Sequence, residues 1–290
     1  MIYPASVTPF AADGCIDYPS VVRLLAWFRA SGCDGVVLAG TNGEGPSLSA
    51  IEKRDLVRHA VAFAEGLKVI LGIATSSITE AIWLSVQARK AGAEAVLVMP
   101  PSYWPECGQD GVTGWFEQLM DQSETPTLIY NFPKRVGFAI LPETVRRLSR
   151  HPYFYGVKDS SGIPGNLSEF ARAASGHRLF CGDEGLAVKA HSAGWTGLIS
   201  GAANVLSSWL VPIWNDLEER QESGEAKFDL IAPAIQGVRS APQPYANKEI
   251  LHRLGVLPNS LVRLPLRGVG NEALEEAAGR VTKLVQGTTV

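Results

Sequence analysis

The sequence has no excess of basic residues. Among its 290 residues, 26 Lys and Arg stand against 29 Asp and Glu, which gives a formal net charge of −3. Proteins that bind nucleic acids neutralise phosphates with a basic surface, and this charge balance indicates no such surface. We therefore expect no nucleic-acid partner.

The sequence also lacks a segment typical of membrane insertion or export. Residues 1–5 have neither the basic start nor the apolar run of a signal peptide. The longest uncharged stretch, residues 190–215, is interrupted by several Gly and Ser, by Asn204 and by Pro212. This pattern is typical of a buried strand followed by a helix, so we expect no membrane partner.

Cysteine is scarce, and no cysteines are spaced as a Cys-x-x-Cys motif. We interpret the four present as reduced thiols of a cytoplasmic protein; they are Cys15, Cys33, Cys107 and Cys181. The sequence also contains no His-Glu-x-x-His motif, no Gly-x-Ser-x-Gly motif and no paired His and Cys ligand set. We therefore expect no metal ion and no organic cofactor.

Short apolar runs and segments of helical period alternate along the chain. The runs are almost continuous in Val, Ile and Leu, as in parallel strands buried on both faces. They lie at residues 6–8, 35–39, 69–73, 95–99, 127–130, 155–158, 178–181 and 197–200. Strict alternation predicts an α/β protein with either an open doubly wound sheet or a closed barrel. Eight repeats within about 220 residues favour the (β/α)8 TIM barrel.

Helix start signals and the C-terminal pattern complete the predicted architecture. Ser49 and Glu52 form a capping-box pattern, and Thr79 is a candidate cap for a helix at residues 80–91. The last part of the chain has no strand pattern and predicts two or three further helices. We expect a catalytic barrel over residues 1–224 and a C-terminal helical extension, packed on the barrel, over residues 225–290.

Lys158 ends the sixth predicted strand, at the barrel face where active sites lie. Burial disfavours the charged form of an amine, and the neutral amine attacks a carbonyl to form a Schiff base. The alternative is a strand-end lysine that pairs with Asp159 or another carboxylate. Position in the sequence alone leaves both interpretations open.

Tyr130 and the turn that contains Thr41 and Asn42 are further candidates at the same face. Tyr130 ends the preceding strand, and neighbouring strands lie ~4.8 Å apart, so its phenol can move a proton beside Lys158. The backbone N–H groups of a Gly-rich turn can converge on an anion. The alternative for Tyr130 is an aromatic side chain that only fills the barrel. The alternative for the turn of Thr41 and Asn42 is a tight connection between strand and helix without a binding role.

Three motifs occur in an order and spacing that resemble one known family. They are Gly-Thr-Asn-Gly-Glu at residues 40–44, Tyr-Asn-x-Pro at residues 130–133 and Gly-Val-Lys-Asp-Ser-Ser-Gly at residues 156–162. From about residue 7 to residue 266 the sequence resembles the dihydrodipicolinate synthase / N-acetylneuraminate lyase family. The resemblance implies a closed barrel and a class I carbon–carbon lyase that acts on pyruvate or on 2-keto acids that release it.

The resemblance also implies roles for the catalytic candidates. Lys158 would condense with the keto carbon, and this covalent imine replaces any cofactor. Tyr130 would transfer the proton, and Thr41 would link it to a second tyrosine, for which Tyr103 is the best match. In the family this second tyrosine reaches into a neighbouring subunit's site. A homo-oligomer is therefore expected, as a dimer or a dimer of dimers, the latter a homotetramer.

For substrate binding the resemblance points to the turn and to two later strands. Asn42 and Gly43 would hold the pyruvate carboxylate, and Ile199 would present its backbone carbonyl. Arg135 matches the arginine that binds the carboxylate of aspartate semialdehyde, a partner suited to a guanidinium; the alternative is a surface arginine. Asn42 stands where the family's synthases usually have a second Thr.

Three hypotheses follow for the reaction. The leading one is condensation of pyruvate with aspartate semialdehyde, the synthase reaction of the family. Because of Asn42, the second is a retro-aldolase that releases pyruvate from 4-hydroxy-2-oxoglutarate or a 2-keto-3-deoxy sugar acid. The third, from a different class, is a non-catalytic 2-keto-acid binding protein. The expected partners are thus pyruvate and a small aldehyde or 2-keto acid.

Overall fold

The computed structural model describes residues 1–221 and 223–287 of the chain. Among these residues, eight strands form one sheet in which every pairing is parallel. The strands are β1 (Ile2–Pro4), β2 (Gly35–Leu38), β3 (Lys68–Ile73), β4 (Ala95–Val98), β5 (Thr127–Asn131), β6 (Phe154–Asp159), β7 (Arg178–Cys181) and β8 (Gly197–Ser200). Their order in the sheet is β1-β8-β7-β6-β5-β4-β3-β2.

The two edges of this sheet, β1 and β2, meet and close it into a barrel. The Ser6 N–H donates to the Val37 carbonyl over 2.9 Å, and the Asp34 N–H donates to the Ile2 carbonyl over 3.1 Å. The predicted TIM barrel is therefore confirmed, and the open doubly wound sheet is excluded.

Helices cover the outside of the barrel and form its C-terminal extension. The outer helices are α1 (Tyr18–Ala30), α2 (Ala50–Ala62), α3 (Ile78–Ala91), α4 (Gly108–Ser123), α6 (Pro142–Leu148), α7 (Pro164–Ala173), α8 (Ala187–Ser192) and α9 (Ala203–Glu218), whereas the short α5 (Pro133–Val136) directly follows β5. The later helices are α10 (Ser223–Ser240), α11 (Tyr245–Arg253) and α12 (Glu272–Gly287). Helix α10 packs against α9 and α12. The last three residues of the predicted extension, 288–290, lie outside the described residues.

The first strand was predicted in the wrong place. It covers Ile2–Pro4 and pairs with β8, whereas the prediction placed it at residues 6–8. Residues 7 and 8 bond outside the sheet instead, since the Val7 N–H donates to Asn204 Oδ1 at the start of α9 over 3.0 Å and Thr8 Oγ1 donates to the Gly43 carbonyl, in the turn after β2, over 2.6 Å. Among the described residues, only Ser6 of this segment bonds to a strand, through Val37, and Thr8 contacts the turn that follows β2.

Helix starts follow the expected chemistry, with one correction. At α2 the capping box is complete, because the Glu52 N–H donates to Ser49 Oγ and the Ser49 N–H donates to the Glu52 carboxylate. At α3 the cap is Ser77, whose Oγ accepts from the Glu80 N–H over 3.3 Å, so the prediction of Thr79 was wrong.

The barrel interior is a packed core that supports the site above it. Its buried members are Tyr3, Ala5, Val37, Ile70, Ala95, Leu97, Leu128, Tyr130, Phe180 and Ile199. Side chains that point inward from the strands fill TIM barrels in layers, so the interior is no channel. Within the described part of the chain, no helix is both long and apolar enough to cross a membrane.

Candidate active site

A cavity of about 410 Å³ opens at the carboxyl ends of the barrel strands. Six of the eight residues singled out from the sequence line it: Thr41, Asn42, Tyr130, Arg135, Lys158 and Ile199. Because parallel strands end at the same rim, side chains from distant parts of the chain meet there. The cavity is thus the candidate active site.

Lys158 lies inside the barrel, near the end of β6. Its side chain is only 5% exposed, and its register partners are Tyr130 on β5 and Phe180 on β7. The Lys158 Nζ lies 4.3 Å from the centroid of the Tyr130 ring. The amine is therefore held in a largely dry pocket, directly beside a phenol.

Asp159 does not pair with Lys158, although the two are neighbours in sequence. Its carboxylate accepts hydrogen bonds from Asn131 Nδ2 and Ser161 Oγ, both over 2.7 Å. Burial raises the pKa of Asp159, while the hydrogen bonds from Ser161 and Asn131 oppose the rise. The Lys158–Asp159 pair considered from the sequence is therefore not formed.

Room for Lys158 depends on Gly182, which follows β7. A Cβ atom at Gly182 would lie 2.0 Å from Ser160 Oγ and 2.8 Å from Lys158 Cε. Any side chain there would displace the Ser160 hydroxyl and also press on the end of the lysine side chain. Gly182 was not among the site residues predicted from the sequence, although it directly follows a predicted strand.

Tyr130 is buried, yet it lines the cavity. Its ring stacks on Phe132 at a centroid distance of 5.6 Å, which fixes its orientation. Ser160 Oγ donates to the Tyr130 hydroxyl over 3.4 Å, and both residues line the cavity. Two hydroxyls in mutual contact therefore line the cavity together with Lys158 and can pass a proton. Ser160 was also missed, although it lies only two positions after Lys158.

The turn after β2 presents Thr41 and Asn42 to the cavity, whereas Gly43 lies beneath them. A Cβ atom at Gly43 would lie 2.8 Å from Ala39 N and 2.9 Å from the Ser6 carbonyl oxygen, so the turn accommodates only glycine there. Asn42 Oδ1 is buried and has no hydrogen-bond partner among the described residues. A buried acceptor of this kind suits a donor on a bound ligand.

The mouth of the cavity carries positive charge. Lys134 and Arg135, on the short helix α5, are exposed and line the cavity, and neither forms an ion pair with a described residue. The Arg135 guanidinium carbon lies 6.0 Å from the Phe132 ring centroid. Two unpaired cations at this position suit an anionic ligand.

The C-terminal extension contributes Arg239, which the sequence analysis missed. Its guanidinium forks onto Asp183, with Nη2 at 2.8 Å from Oδ2. Burial alone would raise the pKa of Asp183, but the hydrogen bonds from Arg239 outweigh it and lower that pKa. Nearby, the buried Glu184 accepts from Ser200 Oγ over 2.6 Å and from the Ala202 N–H over 3.0 Å. These contacts hold the loops after β7 and β8 around the cavity.

Tyr103 does not reach the cavity of its own chain. Its side chain is 75% exposed and contacts Trp104 edge to face at a centroid distance of 5.0 Å.

No cluster of three or more His, Cys, Asp or Glu that could hold a metal ion is found within residues 1–221 and 223–287.

Known proteins match the chain over almost its whole length. The model of the dihydrodipicolinate synthetase family matches residues 1–284. A 4-hydroxy-tetrahydrodipicolinate synthase of Wolbachia pipientis subsp. Culex pipiens is 34% identical over 267 residues, which is 91% of this chain and 89% of the relative. The structure of the 4-hydroxy-tetrahydrodipicolinate synthase from Methylacidiphilum fumariolicum SolV matches with a TM-score of 0.92 and 28% identity, over 99% of this chain and 97% of the other.

A third match was solved with a ligand. It is the chloride-inhibited dihydrodipicolinate synthase from Acinetobacter baumannii, complexed with pyruvate. Its TM-score is 0.91 at 26% identity, over 97% of this chain and 98% of the other.

Proposed function

Because this chain belongs to the dihydrodipicolinate synthetase family and is a carbon–carbon lyase of that family, we propose that it condenses pyruvate with aspartate semialdehyde through a Schiff base on Lys158. The observation that carries the proposal is the buried lysine in register with a buried tyrosine beneath the cavity. The 4-hydroxy-tetrahydrodipicolinate synthases to which the chain is similar support this choice of reaction.

The reaction begins at the Lys158 amine. The Nζ lone pair attacks C2 of pyruvate, and one proton moves from nitrogen to the former keto oxygen to give a carbinolamine. A second proton then moves from nitrogen to the same oxygen, and water leaves as the imine forms. Tyr130 carries these protons, and the Ser160 hydroxyl beside it is the neighbouring relay. A group positioned in this way acts as a general acid and base.

The imine then supplies the electron sink. It withdraws the electron pair released when the pyruvate methyl loses a proton, and an enamine results. The enamine carbon attacks the aldehyde carbon, the new carbon–carbon bond forms, and the aldehyde oxygen takes up a proton. Hydrolysis of the imine restores Lys158 and releases the product. We therefore propose that the reaction needs no cofactor.

The substrate carboxylates have two separate positions in this proposal. The pyruvate carboxylate binds at the turn of Thr41, Asn42 and Gly43, with the Thr41 hydroxyl and the backbone N–H groups of the turn as its proposed donors, and the Ile199 carbonyl faces the substrate. The second carboxylate, which belongs to the aldehyde, binds Arg135 at the mouth. The unpaired charge of Arg135 supports this assignment.

Arg135→Ala is expected to weaken the binding of the acceptor aldehyde and to leave the binding of pyruvate unchanged. Loss of a charge-assisted hydrogen bond predicts a fall of about 10- to 100-fold in kcat/KM for aspartate semialdehyde, while the KM for pyruvate stays unchanged. Steady-state kinetics with both substrates varied will show this. Arg150→Ala, at an exposed arginine outside the cavity, is the matched control. Equal losses with aldehydes that lack a carboxylate would remove Arg135 from acceptor binding.

One observation favours the retro-aldolase as a second candidate function. Asn42 lines the cavity with a buried, unpartnered Oδ1, which suits a hydroxyl donor on a substrate. Comparing kcat/KM for cleavage of 4-hydroxy-2-oxoglutarate and a 2-keto-3-deoxy sugar acid with that for the condensation separates the two. The non-catalytic binding protein is set aside, because the chain belongs to a family of lyases.

We propose that Tyr103 acts in a neighbouring subunit of a homo-oligomer, a dimer or a dimer of dimers. Its exposure at the protein surface supports this role. Tyr103→Phe is expected to lower kcat about three- to tenfold, the effect of losing one hydrogen bond. Co-expression of Tyr103→Phe with Lys158→Ala should restore full kcat to the mixed sites, because one site then combines an intact Lys158 with the partner's Tyr103. No gain on mixing, or an active monomer in sedimentation, would contradict a shared site.

We also propose the bounds of the two parts of the chain and its cellular location. We place the catalytic barrel at residues 1–224 and the extension at residues 225–290, and the packing of α10 on α9 supports an extension that rests on the barrel. We also propose a cytoplasmic location. The four unpaired thiols suit a reducing compartment; they are Cys15, Cys33, Cys107 and Cys181.

A further inference from the structure

A buried ion pair lies behind the turn that faces the cavity. Glu44 and Lys248 are each only 1% exposed, and Lys248 Nζ contacts Glu44 Oε1. The same Nζ donates to the Leu261 carbonyl over 2.6 Å and lies 4.2 Å from the centroid of the Phe10 ring. Burying two charges gives up their hydration, so such a pair is weak evidence for stability. Its position therefore calls for a functional explanation.

Glu44 belongs to the same turn as the proposed carboxylate-binding residues. Its N–H donates to the Thr41 carbonyl over 3.2 Å, and its backbone has a positive φ of 54°. Its second carboxylate oxygen accepts from the Arg263 N–H over 2.8 Å. Both carboxylate oxygens are thus held by residues that follow the barrel, Lys248 on α11 and the backbone of Arg263. The turn has no other ion pair of its own among the described residues.

We propose that Lys248 is a positioning residue, which acts through Glu44 to fix the orientation of Thr41, Asn42 and Gly43 toward the carboxylate of the 2-keto acid. The C-terminal extension then sets the affinity of the barrel for pyruvate without contacting it. The identity of the bound carboxylate rests on the proposed function; the role of the ion pair in shaping the turn rests on the contacts above.

Because this role needs the positive charge of Lys248, the affinity for pyruvate should depend on pH. Burial lowers the pKa of Lys248 to about 8, although Glu44 opposes the shift. The charged groups that face it are Glu44 and Arg263, whose guanidinium lies 4.5 Å from the same Phe10 ring. Above pH 8 the amine loses its proton and Glu44 loses its charged partner. The KM for pyruvate is therefore expected to rise above pH 8.

A loss of protein stability would not explain a rise in the KM for pyruvate above pH 8. The ordinary pKa of lysine is 10.5, so between about pH 8 and that value the unfolded chain binds more protons at this site than the folded chain. Stability from this group therefore increases with pH in that window. A loss of pyruvate affinity there reports the geometry of the turn.

The test is Lys248→Met, which keeps the length of the side chain and removes its charge. A misoriented turn predicts that the pyruvate concentration for half-maximal borohydride trapping rises about 10- to 100-fold. The KM for pyruvate should rise in parallel, the KM for the aldehyde should stay unchanged, and the inflection above pH 8 should disappear. Lys227→Met is the matched control, because Lys227 pairs with Asp216 near the surface, over 2.6 Å.

Should Lys248→Met fail to fold, Glu44→Gln/Lys248→Met removes both charges and leaves no uncompensated carboxylate. It is expected to fold and still to show the weakened pyruvate affinity. A lower kcat with unchanged pyruvate affinity, or a persistent inflection above pH 8, would overturn the proposal. If the unaltered protein traps no pyruvate, the proposed function has failed; if it does and the variants bind equally well, only the role of Lys248 has failed.

Discussion

Lys158→Ala is expected to lower kcat by about 10⁴–10⁶ and to abolish covalent capture of pyruvate. The reason is chemical, since without the amine no imine forms and no electron sink exists for the methyl proton. Of the described lysines that line the cavity, only Lys158 is buried; Lys134 is exposed at the mouth.

Turnover and borohydride trapping measured on the same preparation check this prediction. Lys189→Ala is the matched control, because Lys189 is exposed on α8 and does not line the cavity. It should keep full activity and full labelling. If Lys158→Ala still labelled with pyruvate, the nucleophile would be another residue.

Tyr130→Phe carries the second largest expected effect, a fall in kcat of about 10²–10⁴. The substitution keeps the ring that stacks on Phe132 and removes only the hydroxyl that contacts Ser160. Pyruvate should therefore still bind, while imine formation slows. Stopped-flow measurement of imine formation separates this step from binding.

Tyr155→Phe is the matched control for Tyr130→Phe. Tyr155 lies on β6, and its hydroxyl donates to Glu94 over 2.7 Å, away from the cavity. Loss of this hydroxyl should lower the stability of the protein and leave the rate of imine formation unchanged. An unchanged rate in Tyr130→Phe would exclude Tyr130 as the proton carrier.

The barrel and the centre of its site were predictable because both follow from local patterns. Continuous apolar runs predicted β7 and β8 with the observed bounds, at residues 178–181 and 197–200. A lysine and a tyrosine that end consecutive parallel strands necessarily become neighbours, which explains the correct placement of Lys158 and Tyr130 on the cavity. The criterion of continuous apolar runs misplaced the first strand, because its pairing with β8 and the hydrogen bonds of residues 7 and 8 involve residues distant in sequence.

The residues missed by the sequence analysis depend on contacts distant in sequence. Arg239 lies 56 positions after Asp183, and Lys248 lies 204 positions after Glu44, so no local pattern links either pair. Gly182 matters only because another strand places the Lys158 side chain against it. Such roles emerge once the chain is folded.

The central claim is that the amine of Lys158 forms the imine. The most direct measurement is peptide mapping by mass spectrometry after borohydride reduction of the protein with pyruvate. We expect one modified peptide, with the reduced pyruvate adduct on Lys158. An adduct on any other lysine, or no adduct at saturating pyruvate, would contradict it.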